Sequence, residues 1–202
     1  MVSVNPFNSR KHFLKPDEKK IQQLVSICQD GGVEAFGAIY DAYVDMVYRY
    51  VFYRIDREEV EDLVETVFVK VWENIDKYRP GEFPFSSWLF RVAHNLIVDY
   101  YRFHRKHISL NENLPAHVNR SEDDPADWAG KQLNQSYLRK GLVQLKESYQ
   151  QVLVLKYLMG FDTKEVAQMM QRNVANIRIL QYRALKALRQ VLQGQGMESN
   201  EF

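Results

Sequence analysis

The chain has 202 residues, 46% of them hydrophobic, and a formal net charge of +1. That length suffices for one domain or two small ones, and the apolar content excludes a chain that is disordered throughout. The single cysteine, Cys28, excludes an internal disulfide and fits a reducing compartment. No apolar run approaches the ~20 residues that span a membrane, and residues 1–15 lack the apolar core of a signal peptide. We therefore expect a cytoplasmic protein without membrane insertion.

The small net charge hides an uneven distribution. Residues 91–107 carry four Lys/Arg against one acid, and residues 172–189 carry five Lys/Arg and no acid. Between them, residues 109–130 carry five acids against Arg120. Two basic segments thus flank an acidic connector, a pattern that the total charge conceals.

The N-terminal half predicts consecutive helices after a flexible leader at residues 1–15. Pro16, Asp17 and Glu18 form a plausible helix start, and the run Asp30-Gly31-Gly32 predicts its end. Apolar residues at helical spacing then predict a long, tyrosine-rich helix over residues 34–54. We interpret its tyrosines as core rather than as a ligand site.

Residues 57–74 form the cleanest helical pattern, with an apolar stripe that runs from Val60 to Trp72. Six acids lie on the other face against Arg57 and Lys70. Such a face is either simply solvated or a docking surface for a basic partner.

The next segment combines an aromatic loop with a basic helix. Two prolines and a glycine make residues 78–85 a loop, and we expect Ser86 or Ser87 to cap the helix that follows. Along that helix, cations and aromatic rings share a polar face with Asn95. The mixture suits single-stranded nucleic acid, although an amphipathic helix with a solvated basic end has the same pattern. His104 and His107 fit a basic patch better than a metal site.

Residues 109–130 predict a linker, and a second helical domain follows. Within it, a short helix at residues 163–170, a turn at 171–173 and a basic helix at 174–192 have the form of a helix-turn-helix. Helical hairpins share this form, but the absence of acids from residue 172 to 197 favours DNA binding. Thr163 is the expected N-cap of the short helix.

These observations predict an all-α protein of two small helical domains joined by a flexible acidic linker. The expected divisions are a leader at 1–15, a first domain at 16–108, a linker at 109–130, a second domain at 131–193 and a tail at 194–202. No phosphate-binding loop, zinc-binding spacing or nucleophile–base pair is present, so we expect neither an enzyme nor a cofactor.

Several stretches together resemble the sigma-70 family of bacterial RNA polymerase sigma factors, in its small extracytoplasmic-function (ECF) group. EDLVETVFVKVWE at 61–73 is similar to the core-binding helix, and FSSWLFRVAHNLIVDYYR at 85–102 to the −10 recognition and melting segment. SYQQVLVLKYLMGFDTKEVAQMMQRNVANIRILQYRALKAL at 148–188 is similar to the −35 helix-turn-helix, and residues 34–53 to the first long helix.

The resemblance implies a factor that binds core polymerase, reads −10 and −35 promoter elements and opens the duplex between them. It implies contact with the clamp and flap regions of polymerase, with duplex and single-stranded promoter DNA, and with an anti-sigma factor. The implied core-binding residues are Asp62, Leu63, Glu65, Thr66 and Phe68. For −10 recognition and melting they are Tyr78, Arg79, Phe85, Trp88, Arg91, Asn95, Asp99, Arg102 and Arg105. The implied −35 helix contributes Val174, Ala175, Asn176, Arg178, Ile179, Gln181, Tyr182 and Arg183.

Two positions depart from the family pattern. Glu65-Thr66 stands where members commonly have Gln-Glu, and Ile179-Leu180 stands where many have Ser-Arg. A rival from another class is a two-domain helix-turn-helix regulator that binds duplex DNA without recruiting polymerase. Such a regulator would need neither an acidic docking face nor an aromatic helix that captures a strand.

Overall fold

A computed structural model describes residues 15–81, 83–110 and 131–194, with side chains described for all of these except 105–110 and 131–134. Within these ranges every regular element is helical, which confirms the predicted all-α class. The tail after Gly194, residues 111–130 of the predicted linker and residues 1–14 of the predicted leader lie outside the described residues.

The N-terminal half is a bundle of helices in contact with one another. These are α1 (Glu18–Gln29), α2 (Glu34–Phe52), α3 (Val60–Asn74) and α4 (Phe85–Leu110), with 3₁₀ turns at Arg57–Glu59 and Ile75–Lys77. Helix α2 packs against α1, α3 and α4, and α4 also packs against α1 and α3. Since α4 continues to Leu110, the first two residues of the predicted linker are helical.

Local sequence signals set the ends of α1. The Asp17 carboxylate caps its start by accepting a hydrogen bond from the Lys19 amide at 3.0 Å. At its end, Gly31 adopts a φ of 94°, a left-handed conformation that glycine reaches without steric cost. The predicted start and end of this helix are therefore confirmed.

The apolar stripe of α3 supplies much of the bundle core. Val60, Val64, Val67 and Val71 are all buried, and α3 packs against α2, whose Val47 is buried as well. Burying one such side chain stabilises the fold by about 1.5–3 kcal/mol. The acids on the other face of α3 remain at the surface, as the periodicity predicts.

The C-terminal half is built around its last helix. It contains α5 (Lys131–Val143), α6 (Glu147–Leu153) with a π-helical turn at Val154–Leu158, α7 (Thr163–Met169) and α8 (Val174–Gly194). Helix α8 packs against α5, α6 and α7. The short α7, the turn and the long α8 form the expected helix-turn-helix.

The N-cap of α7 differs from the expectation. Asp162, rather than Thr163, accepts from the amides of Lys164 and Glu165, and the Glu165 carboxylate accepts from the Asp162 amide in return. This reciprocal capping box satisfies two donors of the first turn and leaves Thr163 as the first helical residue.

The two halves are in direct contact. Helix α4 packs on α7, and α2 packs on the π-helical turn. The basic helix of the first half therefore lies against the first helix of the helix-turn-helix.

Candidate nucleic-acid interface

Helix α3 presents an acidic surface made by Asp62 and Glu65, both exposed. Thr66 is exposed too, and its hydroxyl donates to the Asp62 carbonyl at 2.8 Å. Leu63 is half-buried beside them. Phe68 differs from the other predicted polymerase-binding residues, because it lies in the core with its ring 4.6 Å from that of Tyr40.

An apolar groove beside this acidic surface was not predicted from the sequence. It is lined from α2 and α3 by Phe36, Tyr40, Glu65, Phe68, Val69 and Trp72. Trp72 belongs to the apolar stripe of α3, yet it is 37% exposed because it packs edge-to-face on Phe36 at the margin of the bundle. The sequence alone could not show that the apolar stripe of α3 reaches the surface at Trp72, because this depends on how α2 and α3 pack together.

The start of α4 is capped by a distant residue instead of by a serine. The Glu18 carboxylate of α1 accepts from the Phe85 amide at 2.8 Å, so Phe85 is already helical. Ser87 is fully buried and its hydroxyl has no hydrogen-bond partner. The expected serine cap is therefore wrong, because the first free amide belongs to a residue that precedes both serines.

Two of the predicted −10 residues hold the loop together from inside. Tyr78 and Phe85 are buried, and the Tyr78 hydroxyl donates to the Phe83 carbonyl at 2.8 Å. Burial, aided by the Glu18 carboxylate, raises the pKa of Tyr78 to about 12. Trp88 is half-buried against both rings, with ring centroids 5.7 Å and 5.5 Å away. In this structure Tyr78 and Phe85 support the loop and cannot stack on a base.

The outer face of α4 carries the predicted hydrogen-bonding groups. The expected exposure of Asn95 is confirmed, and Asp99 and Arg102 are exposed along the same helix, 3.4 Å apart. Arg79, in the loop before α4, is also exposed and donates to the Asp76 carbonyl at 2.6 Å. The side chain of Arg105 lies outside the described residues.

Arg91 is placed differently from the other cations of α4. It is half-buried between the Phe83 ring, 5.9 Å away, and α7, where its Nη2 donates to the Gln168 carbonyl at 3.4 Å. Its Nε is buried without a hydrogen-bond partner. In this arrangement Arg91 contacts the second half of the chain and is only partly open to solvent.

Helix α8 presents its N-terminal half to solvent. Asn173 caps it by accepting from the Asn176 amide at 2.7 Å. Tyr182 is 71% exposed and Ile179 is 51% exposed, so the atypical apolar residue at 179 belongs to the outer face. Among the other predicted −35 residues, those exposed are Ala175, Asn176, Arg178 and Arg183, and those half-buried are Val174 and Gln181.

Neither a metal site nor a membrane span emerges from the described part of the chain. No group of three or more His, Cys, Asp or Glu side chains there could hold a metal ion. Likewise, none of the helices in the described ranges is long and apolar enough to cross a membrane.

The fold and these surfaces define a two-domain helical protein whose second domain is a helix-turn-helix. The sigma-70 region 2 family matches residues 39–107, and the sigma-70 region 4 family matches residues 135–188. Together these matches cover more than half of the chain, which therefore belongs to the sigma-70 family. It is a sigma factor of the ECF group.

Relatives and solved structures agree with this assignment. The chain is 30% identical over 177 residues to the ECF RNA polymerase sigma factor BldN of Streptomyces coelicolor, covering 87% of this chain and 67% of the relative. CnrH in complex with the cytosolic domain of CnrY has a similar fold, with a TM-score of 0.66 at 23% identity over 88% of this chain and 99% of CnrH. RpoE of Bartonella quintana, in complex with the anti-sigma factor NepR, has a TM-score of 0.67 at 18% identity over 80% of this chain and 98% of RpoE.

Proposed function

We propose that this sigma factor binds the clamp of core RNA polymerase through the acidic surface of α3. Asp62 and Glu65 are exposed and contribute nothing to the bundle core, so their charges are available to basic groups on a partner. The apolar groove beside Glu65 adds surface that can be buried on docking, as the centres of protein interfaces do. If the acidic face of α3 were only solvated, the exposure of Trp72 in this groove would have no role.

The outer face of α4 is proposed to capture a −10 base on the opened strand. The Asn95 amide can donate and accept, which reading a base edge requires, and Arg102 can neutralise a phosphate. Flipping a base costs a few kcal/mol, and stacking on an aromatic ring returns about 1–3 kcal/mol per base. Because Tyr78 and Phe85 are buried, the exposed rings Phe83 and Phe103 are the better candidates for stacking.

The exposed face of α8 is proposed to read the −35 element in the major groove. Arg178, Tyr182 and Arg183 project from its N-terminal half, and Asn176 lies closer to its start. An arginine can bind guanine through two hydrogen bonds. Ile179 can make only apolar contacts, so any base preference at its position comes from shape or from a thymine methyl group.

The proposed contacts with polymerase and DNA divide between the two matched regions. We place core binding and −10 reading in residues 16–108, −35 reading in residues 131–193 and flap contact in the second domain. The chain acts as an initiation factor, with polymerase supplying the catalysis. CnrH and RpoE have this fold and were solved with a protein partner, so we also propose that an anti-sigma factor binds this chain.

The observation that carries the proposal is the match to both sigma regions on a chain whose Asp62, Glu65 and Asn95 are all exposed. The test is size-exclusion chromatography of the purified chain mixed with core polymerase. We expect co-elution. A chain that elutes apart from the core yet binds duplex DNA alone would be the rival helix-turn-helix regulator.

A further inference from the structure

The outer face of α8 carries a pair of exposed apolar side chains. Ile179 is 51% exposed, and Tyr182, three residues later, is 71% exposed. At about 100° per residue they lie roughly 200° and 140° around the helix from the buried Ile177. The pair therefore lies opposite the side of α8 that packs on α5, α6 and α7. Packing within the domain gives no reason for an apolar side chain at either position.

Two arginines stand on either side of this pair. Arg178 lies about 100° from Ile177 in one direction and Arg183 about 120° in the other, and both are exposed. Residues 172–189 carry five Lys/Arg and no acid. The field over this face is therefore positive, which fits the phosphate backbone of DNA as the partner and disfavours a basic protein.

Gln181 leaves the middle of this face to the apolar pair. It is half-buried, and its Nε2 is buried without a hydrogen-bond partner. A glutamine reads adenine only when its amide reaches the base edge. In this structure the Gln181 amide lies away from the outer face, so Ile179 and Tyr182 are the central groups that a bound duplex would meet.

An isoleucine can recognise one feature of the major groove. Thymine presents its C5 methyl group there, whereas the other bases are distinguished by hydrogen-bond donors and acceptors. Ile179 has neither a donor nor an acceptor, so packing it on a polar base edge removes water from that edge without replacing its hydrogen bonds. The ring of Tyr182 offers a second apolar surface next to it. The pair thus favours a methyl group and disfavours a purely polar edge.

We propose that Ile179 and Tyr182 read the C5 methyl group of a thymine in the −35 element, and that this contact selects the promoters of this chain. The inference rests on the proposed reading of the −35 element by α8 and specifies which group is read. Counted from Val174, the two residues are the sixth and ninth of α8. They lie in the N-terminal half of the helix, the part of a recognition helix that contacts base edges.

The first test replaces each thymine of the −35 element, one at a time, by deoxyuridine. Uracil keeps the hydrogen-bonding groups of thymine and lacks only the methyl group. Reconstituted holoenzyme is titrated against each template, starting from a promoter obtained by in vitro selection. Burying one methyl group corresponds to about fourfold in affinity, so one thymine should show a loss of that size with the wild-type chain.

Variants of α8 show whether Ile179 makes the contact. Ile179→Ala should bind the thymine and uracil templates equally, whereas Ile179→Val, which keeps both methyl groups on Cβ, should retain most of the discrimination. Leu185→Ala is the matched control, because Leu185 is 44% exposed but lies about 80° from Ile177, outside the outer face. It should discriminate as the wild type does. Since both positions are exposed, the variants should keep the wild-type melting temperature.

A second test separates methyl recognition from any effect of uracil on the duplex. The T·A pair that shows the fourfold loss is changed to C·G, with the cytosine either unmodified or methylated at C5. 5-Methylcytosine carries its methyl group at the same ring position as thymine. Methylation should raise the wild-type affinity by about fourfold and leave that of Ile179→Ala unchanged.

Several results would overturn the methyl contact. They are a wild-type affinity that no uracil replacement lowers, a loss that Ile179→Ala shows as fully as the wild type, and a selected −35 element without an A·T pair. Weaker binding of Ile179→Ala to core polymerase, with the thymine preference intact, would assign the pair to a protein contact instead. Holoenzyme that binds equally well when the whole −35 element is scrambled would refute the proposed reading by α8, and the methyl contact with it.

Discussion

We predict that mild acid destabilises the folded chain through His94. Its side chain is 22% exposed and lies between Arg54, just after α2, and Glu147 at the start of α6. Burial, and then the Arg54 charge, lower the pKa of His94 from 6.5 to about 4. Because the folded-state pKa is depressed, the neutral imidazole stabilises the structure above pH 6.5, and that contribution is lost as the pH falls toward 4.

The size of the loss follows from the shift. Taking 1.36 kcal/mol per pKa unit, proton binding by the unfolded chain weakens the native structure by roughly 2 kcal/mol between pH 7 and pH 5. The Glu147 carboxylate lies 3.5 Å from His94 Nε2 and favours the protonated imidazole, so roughly 2 kcal/mol is the upper bound of the effect.

His94→Gln is the matched variant, because a glutamine carbonyl can still accept from Arg54 but does not titrate. Urea unfolding at a series of pH values should give wild type the steeper decline, with an excess of up to roughly 2 kcal/mol by pH 5. Parallel declines for the two proteins, or an NMR titration that gives His94 an ordinary pKa, would refute the reasoning.

Four further predictions each concern one residue or one pair of residues. Reversing Asp62 and Glu65 to Lys should weaken core binding by several kcal/mol in a binding titration without changing the melting temperature; unchanged core affinity would remove this docking surface. Asn95→Ala should lower permanganate reactivity of the melted strand and relax one −10 preference, with stability within about 0.5 kcal/mol; equal reactivity at matched occupancy would contradict base reading. Arg178→Ala should cost about 1–3 kcal/mol of discrimination at one −35 position in competition binding, and a loss of −10 preference instead would count against it. Gln171, at a φ of 53°, should tolerate Gly with a gain of about 0.5–1 kcal/mol in thermal unfolding; a loss would show that its side chain matters more than its backbone.

The periodicity of apolar residues correctly predicted which side chains are buried wherever a helix buries a single face. The valine stripe of α3 and the exposure of Asp62, Glu65 and Asn95 follow from spacing alone, since a residue two positions from the buried stripe must point away from it. The helix-turn-helix was predicted within a few residues for the same reason, because its short and long helices each carry a periodic apolar face.

Features that depend on contact between distant segments could not be predicted in this way. The cap on α4 comes from Glu18, 67 residues earlier, and the burial of Tyr78 and Phe85 depends on how the loop folds onto α1. Arg54 looks like a surface cation in the sequence but is fully buried, with its guanidinium against Tyr50, His94 and the distant Glu147. Charged residues are seldom buried without a full set of partners, so no sequence pattern would have placed it there.

Transcription by reconstituted holoenzyme tests the central claim most directly. Core polymerase is supplied with a pool of promoter variants, with and without this chain, and the transcribed templates are sequenced. The account predicts that initiation depends on the chain and selects templates sharing two elements at a fixed spacing. Equal initiation with and without the chain, or selection for a single duplex element, would contradict it.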